Sequence, residues 1–279
     1  MEISVLGPLT VRAGRVTITP TAPKPRQVLA LLLMHANQVV AVPSLARELW
    51  DENPPMSALT TLQTYVLQLR KLLAAGFEMR SAQVAKEILI TKANGYLFKV
   101  EPGSLDLHRF DRLAREGRAA LARDENDRAA DLLRDALALW RGQALVDVNA
   151  GPLLSLQVVR LEEARLTALE HRIEADLRIG MHHEVLSELA LLTEEHPLHE
   201  NLHAQLMVAL YRAGRRSEAL NVFHRLRSRL LDELGLEPSV TMHRMQQAVL
   251  SAEPSLDSPN QRSAFLAERF AASYPSPIA

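Results

Sequence analysis

The sequence predicts an α+β region at the N-terminus, three helices framed by strands, followed by an all-α region of paired helices. Three observations carry that prediction. Apolar residues alternate over residues 2–20 and again around Asn94-Gly95, the pattern of half-buried strands joined by tight turns. Between these ends the apolar spacing changes to three and four residues. Beyond residue 100 the chain matches itself at an offset of 34 residues.

In chain order, Ile3/Val5, Leu9/Val11 and Val16/Ile18 make three short strands, turned at Gly7-Pro8 and Ala13-Gly14. From Pro25, residues Val28, Leu31, Leu32 and His35 sit at helical spacing, and Asn37 suits the left-handed residue that follows a helix. Val39-Val40 is a short extended piece. Pro43 opens a second helix, with Leu45, Ala46, Leu49 and Trp50 on one face. Asp51-Glu52-Asn53-Pro54-Pro55 is a loop, since two prolines cannot continue a helix. A third helix is expected from Ser57 to Ala75, with Leu59, Leu62, Val66, Leu69 and Leu73 as its buried stripe and Gly76 as its end. Ile88 and Ile90, then Leu97, Phe98 and Val100, flank Lys92-Ala93-Asn94-Gly95, a hairpin signal.

Strands, three helices and a hairpin, in that order, predict a winged helix-turn-helix. Its third helix needs an apolar face to seat it and a polar face to enter the major groove. Thr60, Thr61, Gln63, Thr64, Gln68 and Lys71 form the polar face, with Arg70 at its edge and Leu67 in line with Thr60, Thr64 and Lys71. These groups can bond base edges and phosphates. A Thr/Gln/Lys face on an isolated helix would read as solvated surface; the surrounding strands, second helix and hairpin favour the groove.

Composition narrows the classes. A chain of 279 residues is long enough for two domains. Hydrophobic residues at 47% and charged residues at 23% are those of a globular protein, and few aromatics with abundant Leu, Ala and Arg favour helices. With no Cys, disulfides, Cys-based zinc fingers and thiol catalysis are excluded, and a reducing cytoplasm is the expected location. The opening residues have no signal-peptide pattern, and the densest apolar run, Val28 to Met34, is far shorter than the roughly 20 residues of a membrane span. The net charge of −1 divides unevenly: residues 1–100 carry +5 and the remainder −6, so the N-terminal third can face a polyanion.

In the second region, Gly180 aligns with Gly214. At that offset Ile173 meets Met207, Ala175 meets Ala209, Leu177 meets Tyr211, Glu184 meets Glu218, Leu186 meets Leu220 and Leu189 meets Phe223. A 34-residue helix–turn–helix period is the tetratricopeptide signature, with Gly at the tight turn and Ala where helices approach closely. An earlier pair, roughly 106–122 and 125–140, is expected to stack on the same array. Such arrays offer surfaces to partners. Residues 252–279 hold Pro254, Pro259, Pro275 and Pro277 among many serines and read as a tail, with a short helix around Phe265, Leu266, Arg269 and Phe270 that could dock on the array.

These residues carry a resemblance. Leu6-Gly7-Pro8-Leu9, Lys24-Pro25-Arg26-Gln27-Val28, Glu48-Leu49-Trp50, the run Thr61 to Lys71 and Thr91…Gly95-Tyr96 resemble the OmpR-type DNA-binding domain. Leu105 to Phe110, Ala138 to Gly142, Leu206 to Arg215 and Glu233 to Pro238 resemble the bacterial transcriptional activator domain. The pairing is similar to the short form of the Streptomyces antibiotic regulatory proteins. One departure stands at Ala93-Asn94, where the family commonly has two prolines. The resemblance implies a transcriptional activator of an antibiotic biosynthetic gene cluster, binding promoter DNA at direct repeats near the −35 element as a homodimer or tandem pair and recruiting RNA polymerase. It implies a polymerase contact in the loop holding Asp51, Glu52, Asn53 and Met56. The expected DNA-contacting set adds the wing residues Lys92, Asn94 and Tyr96, and Lys24 and Arg26 ahead of the first helix. The expected domains are 1–100 for DNA, 101–251 for the helical activator domain, and 252–279 for the tail.

His199-Glu200-Asn201-Leu202-His203 reads H-E-x-x-H, which on a helix can hold zinc beside a general base. The metzincin extension would need Gly where Leu206 stands, and His199 shares a stripe with Leu202, Leu206 and Ala209, so it is expected to pack within the array. No Walker A loop, nucleophile elbow or dinucleotide fingerprint occurs, so neither an enzymatic activity nor a cofactor nor a metal is expected. With the first strand at residue 2, no receiver domain is expected ahead of it. The rival expectation is a helical scaffold whose N-terminal domain holds a protein partner, which would show no salt-dependent DNA binding.

Overall fold

A computed structural model describes residues 1–14 and 16–257. Packing groups them into two compact units, Met1–Arg115 with Arg134–Ala168, and Glu116–Leu133 with the residues from Leu169 onward. The expected boundary at residue 100 separates mixed α/β elements from all-α ones; compactness divides the chain differently.

The first unit opens with an antiparallel sheet of β1 (Glu2–Ser4), β2 (Thr10–Ala13) and β3 (Val16–Thr17), in that order. Helix α1 (Pro23–Met34) follows with residues 27–34 entirely buried, and Asn37 takes the left-handed conformation, φ 66°, as its sequence context predicts. Next come β4 (Val39–Ala41), α2 (Val42–Trp50), opened by Pro43, and α3 (Ala58–Gly76). A short helix, α4 (Ser81–Glu87), was not expected from the sequence; one buried residue, Val84, seats it, too little for a periodic signal. The hairpin β5 (Leu89–Lys92) and β6 (Gly95–Phe98) completes a second antiparallel sheet in the order β4-β6-β5, with Lys92 opposite Gly95 across the Ala93-Asn94 turn. This is a winged helix-turn-helix. Two sequence expectations need correction. Leu59 lies on the apolar stripe but is 53% exposed, because the first turn of α3 projects beyond the core. In β5 the buried residue is Leu89, flanked by half-buried Ile88 and Ile90, a one-residue shift that reverses the face.

Three carboxylates fasten later residues to this region. Asp106, at the start of α5 (Asp106–Ala122), accepts from the backbone of Val5 at 2.9 Å, Leu6 at 3.1 Å and Leu107 at 2.8 Å. Burial pushes its pKa up, against the pull of those backbone donors and of Arg141. Asp147 accepts from Leu9 N at 2.7 Å and pairs with Arg26. Glu48, 2% exposed on α2, accepts from Gly151 N, Leu153 N and Leu154 N at 2.6–3.0 Å. It thereby caps the start of α7 (Pro152–Arg178), where backbone donors have no intrahelical partner. Gln27 Nε2 also donates to it at 3.0 Å, and a Cβ at Gly151 would overlap the Glu48 carbonyl.

In the second unit, Ala120, Leu121, Ala129 and Ala130, from α5 and α6 (Asn126–Leu137), pack with Ala175 of α7. Then come α8 (Leu186–Glu195), α9 (Glu200–Arg212), α10 (Arg216–Leu234), α11 (Val240–Ser251) and α12 (Pro254–Asp257). The 34-residue repeat is structural. Gly180 and Gly214 have φ 88° and 76°, and Met181 N–Asp176 O and Arg215 N–Leu210 O close the same turn at 2.9 and 2.8 Å. The turn after α5 is built alike with Asp124 at φ 59°, and Glu125 N donates to Ala120 O at 3.0 Å. The aligned pairs Ile173/Met207, Ala175/Ala209 and Leu189/Phe223 are all buried. The expected tail helix around Phe265 lies outside the described residues.

Helix α9 corrects the histidine expectation. Residues 202–210 are buried on every face, so His203, not His199, is enclosed. His203 Nε2 donates to Pro197 O at 3.0 Å, while half-exposed His199 Nε2 meets Glu170 Oε1 at 2.9 Å. Burial, with the nearby cations Arg225 and Arg229, pushes the His203 pKa down to about 4, despite Pro197 O and Glu194. Folding therefore holds the neutral ring, whereas the unfolded chain takes up a proton below about 6.5. The contribution is fully present above that pH, is lost as pH falls towards 4, and is flat below. Between pH 8 and 4.5, wild type should lose about 2–3 kcal/mol that His203→Gln, which keeps a donor for Pro197, retains. Urea unfolding at both pH values is the check; parallel losses in the two proteins would place His203 outside the acid response.

Candidate nucleic-acid interface

Helix α3 buries Leu62, Val66, Leu69, Leu73 and Ala74. That phase turns Thr60, Gln63, Thr64, Leu67, Gln68 and Lys71 outward, all exposed, with Thr61 half-buried beside them. The sequence-predicted face is thus assembled on one helix. Thr64 Oγ1 donates to Thr60 O at 3.0 Å, so its hydroxyl keeps acceptor capacity and has already used its proton. Lys92 and Asn94 are exposed at the wing turn, where Val42 N donates to Asn94 O at 3.0 Å. A Cβ on Gly95 would overlap the Val40 carbonyl, so the close pass of β6 over β4 requires glycine there.

Arg70 is where the structure adds most. Its Nε and Nη2 donate to Leu89 O at 3.0 and 2.7 Å, and Nη2 to Thr91 Oγ1 at 2.8 Å. Burial lowers its pKa from the usual arginine value. The guanidinium ties α3 to the wing strand. No sequence signal marks this, because the acceptor is a backbone carbonyl nineteen residues away. Arg70→Ala should therefore weaken DNA binding by loosening the wing and lower stability by about 1.5–3 kcal/mol. The slope of log affinity against log salt should stay unchanged, whereas Lys71→Ala should flatten it by about one. A flattened slope for Arg70→Ala would place the guanidinium on phosphate instead.

Three other expected contacts are built into the fold. Lys24 Nζ donates to Leu49 O, Arg26 pairs with Asp147 and donates to Leu9 O at 3.2 Å, and Tyr96 is 7% exposed within the sheet. The structure does not bring them onto the exposed face of α3. Asp51, Glu52, Asn53 and Met56 are all exposed in the loop between α2 and α3, with Asp51 at φ 54° closing α2. Among the described residues, no cluster of three His, Cys, Asp or Glu side chains could hold a metal ion, and none of the helices is long and apolar enough to cross a membrane.

An outward polar helix face, a wing tied to it and a tetratricopeptide-like helical region define a bacterial transcriptional regulator. Residues 16–98 match the family "Transcriptional regulatory protein, C terminal", and residues 105–250 match the "Bacterial transcriptional activator domain". The chain belongs to the Streptomyces antibiotic regulatory protein family. It is 50% identical over 257 residues to "Regulatory protein DnrI" of Streptomyces peucetius, covering 92% of this chain and 94% of that one. It is 37% identical to "Regulatory protein AfsR" of Streptomyces griseus, over 93% of this chain and 25% of that protein. Among solved structures, "Mycobacterium tuberculosis EmbR in complex with low affinity phosphopeptide" superposes with a TM-score of 0.85 at 32% identity, covering 93% of this chain and 68% of that one.

Proposed function

We propose that this regulator binds promoter DNA directly and activates transcription of a secondary-metabolite gene cluster. The observation that carries the reading is the exposed row Thr60, Gln63, Thr64, Gln68 and Lys71, held at a fixed angle to the wing by Arg70. Gln and Thr side chains bond base edges; Lys71 and Lys92 meet phosphates. The basic balance of residues 1–100 supports the same surface. Two copies on a direct repeat near the −35 element stand head to tail, and a repeat spacing near one helical turn, roughly 10–11 base pairs, sets both on one face of the duplex. RNA polymerase holoenzyme is the proposed partner of the Asp51–Met56 loop, in keeping with the family resemblance.

Footprinting of the purified protein on its own gene cluster, with and without RNA polymerase, tests the reading. Protected direct repeats, and a footprint extended by polymerase, are expected. Salt-independent or absent binding would favour the scaffold alternative. Replacing Glu52 and Asn53 with Ala should leave DNA occupancy unchanged and lower transcription several-fold, because both side chains are exposed and neither supports the fold. Full transcription by that variant at equal occupancy would move the polymerase contact elsewhere.

A further inference from the structure

Helix α3 buries Leu62, Val66, Leu69 and Leu73 along one stripe. At about 100° per residue, Thr60, Thr64, Leu67 and Lys71 fall within roughly 60° of one another on the opposite side. Three large apolar side chains of this helix are exposed: Leu59, Leu67 and Leu72. Leu59 and Leu72 adjoin the buried stripe. Leu67 does not. It stands 49% exposed in the middle of the outward row. Its neighbours one turn away are Gln63, Thr64, Lys71 and Arg70, the last with its guanidinium turned to Leu89 O. A single exposed leucine is ordinary on a protein surface. This one occupies the centre of a face whose other members are polar, and that face is the one offered to DNA.

Resting on the reading that α3 enters the major groove, we propose that Leu67 is a thymine-selecting residue, its side chain packed on the C5 methyl of one thymine in each repeat. The chemistry of the groove leaves an apolar side chain one counterpart. Base edges there carry ring nitrogens, carbonyls and amino groups, and thymine alone adds a methyl group. Covering Leu67 with a guanine, adenine or cytosine edge strips water from polar groups and gives them no partner. Against the thymine methyl both surfaces are apolar, and both leave water favourably. Preference at that base pair then comes from a residue with no hydrogen-bonding side chain, through the methyl contact and through the penalty on the other edges.

The test uses the full-length chain and duplexes carrying a direct repeat protected in the footprint. In one repeat, each thymine in turn is replaced by deoxyuridine. Uracil keeps the base pair and its carbonyl oxygens and lacks the methyl group alone. At one thymine of the repeat, wild type should lose about fourfold in affinity, the worth of one buried methyl group. Leu67→Ala should respond at that thymine by less than about twofold, because its short side chain withdraws from the methyl. Its responses at the other thymines should match wild type. Its melting temperature should hold, since the side chain lies outside the core. A wild type indifferent to uracil at every thymine overturns the proposal and leaves DNA binding in place. So does a Leu67→Ala protein that keeps the full fourfold response. Lower transcription by Leu67→Ala at unchanged affinity for both duplexes also overturns it, because a protein partner would then meet the residue. Failure of wild type to bind any duplex of the gene cluster defeats the DNA-binding reading itself, and thymine selection with it.

Discussion

Replacing Glu48 with Ala is expected to lower stability by about 3–5 kcal/mol, a substantial share of the roughly 5–15 kcal/mol that holds a domain together. The carboxylate accepts from Gly151 N, Leu153 N, Leu154 N and Gln27 Nε2, so one truncation strips three backbone donors at once, while Gln27 Nε2 keeps the Glu48 carbonyl at 2.7 Å. An unsatisfied buried donor costs about 1–3 kcal/mol, and water reaching the partly buried N–H groups keeps the sum below the simple total. Glu48→Gln retains one acceptor oxygen and the side-chain volume, so it should lose about half as much. The readout is urea or thermal unfolding of the full chain; a loss of this size moves the melting temperature by roughly 10 °C. A Glu48→Ala protein that melts with wild type would show the start of α7 to be held by something else. The same geometry bears on truncation. A fragment ending at residue 100 keeps Glu48, Val5 and Leu6 and loses Asp106, Asp147 and Gly151 that meet them or their neighbours. Such a fragment should fold poorly, and one ending at residue 168 retains every one of these bonds.

What was legible in the sequence is what neighbours in the chain decide. Asn94-Gly95 marks the wing from the sequence, but the reversal falls one residue earlier, at Ala93-Asn94, and Gly95 is needed for the close pass of β6 over Val40 O. Gly180 and Gly214 mark the repeat because a left-handed helix end prefers glycine; the same turn at Asp124 escaped notice because its residue is different. The outward row of α3 followed from its period. Contacts between distant segments were not legible. Nothing local marks Glu48 or Asp106 as buried acceptors, because their donors lie about a hundred positions away. The sequence places Arg70, Lys24 and Arg26 among the expected DNA contacts, and their partners within the fold, Leu89 O, Leu49 O and Asp147, lie too far along the chain to be read from it. The error over His199 and His203 is of another kind. A stripe argument assumes that one helix face meets solvent, and α9 has no such face along residues 202–210.

That outward row makes the sharpest claim about function, and the structure ranks its members. Gln68 is exposed, with no hydrogen bond of its side chain among the described residues, so its amide is free to donate to and accept from one adenine edge. Thr64 has spent its proton on Thr60 O and can only accept unless that bond breaks. Gln68→Ala should therefore lower the preference for the cognate repeat over scrambled DNA by ten- to a hundredfold, the roughly 1–3 kcal/mol of a bidentate base contact. Thr64→Ala should cost less, near the lower end of that range. Neither should move the melting temperature appreciably, because both side chains face water. Val66→Ala must behave in the opposite way. At 2% exposure it leaves a cavity beneath the helix, so the melting temperature falls while the ratio of cognate to scrambled binding persists in the folded fraction. The measurement is binding to both DNAs across salt, paired with thermal melts of the same preparations. Full discrimination by Gln68→Ala and Thr64→Ala together would mean that α3 meets the groove with a different face, since no other single outcome separates a misplaced face from a weakened fold.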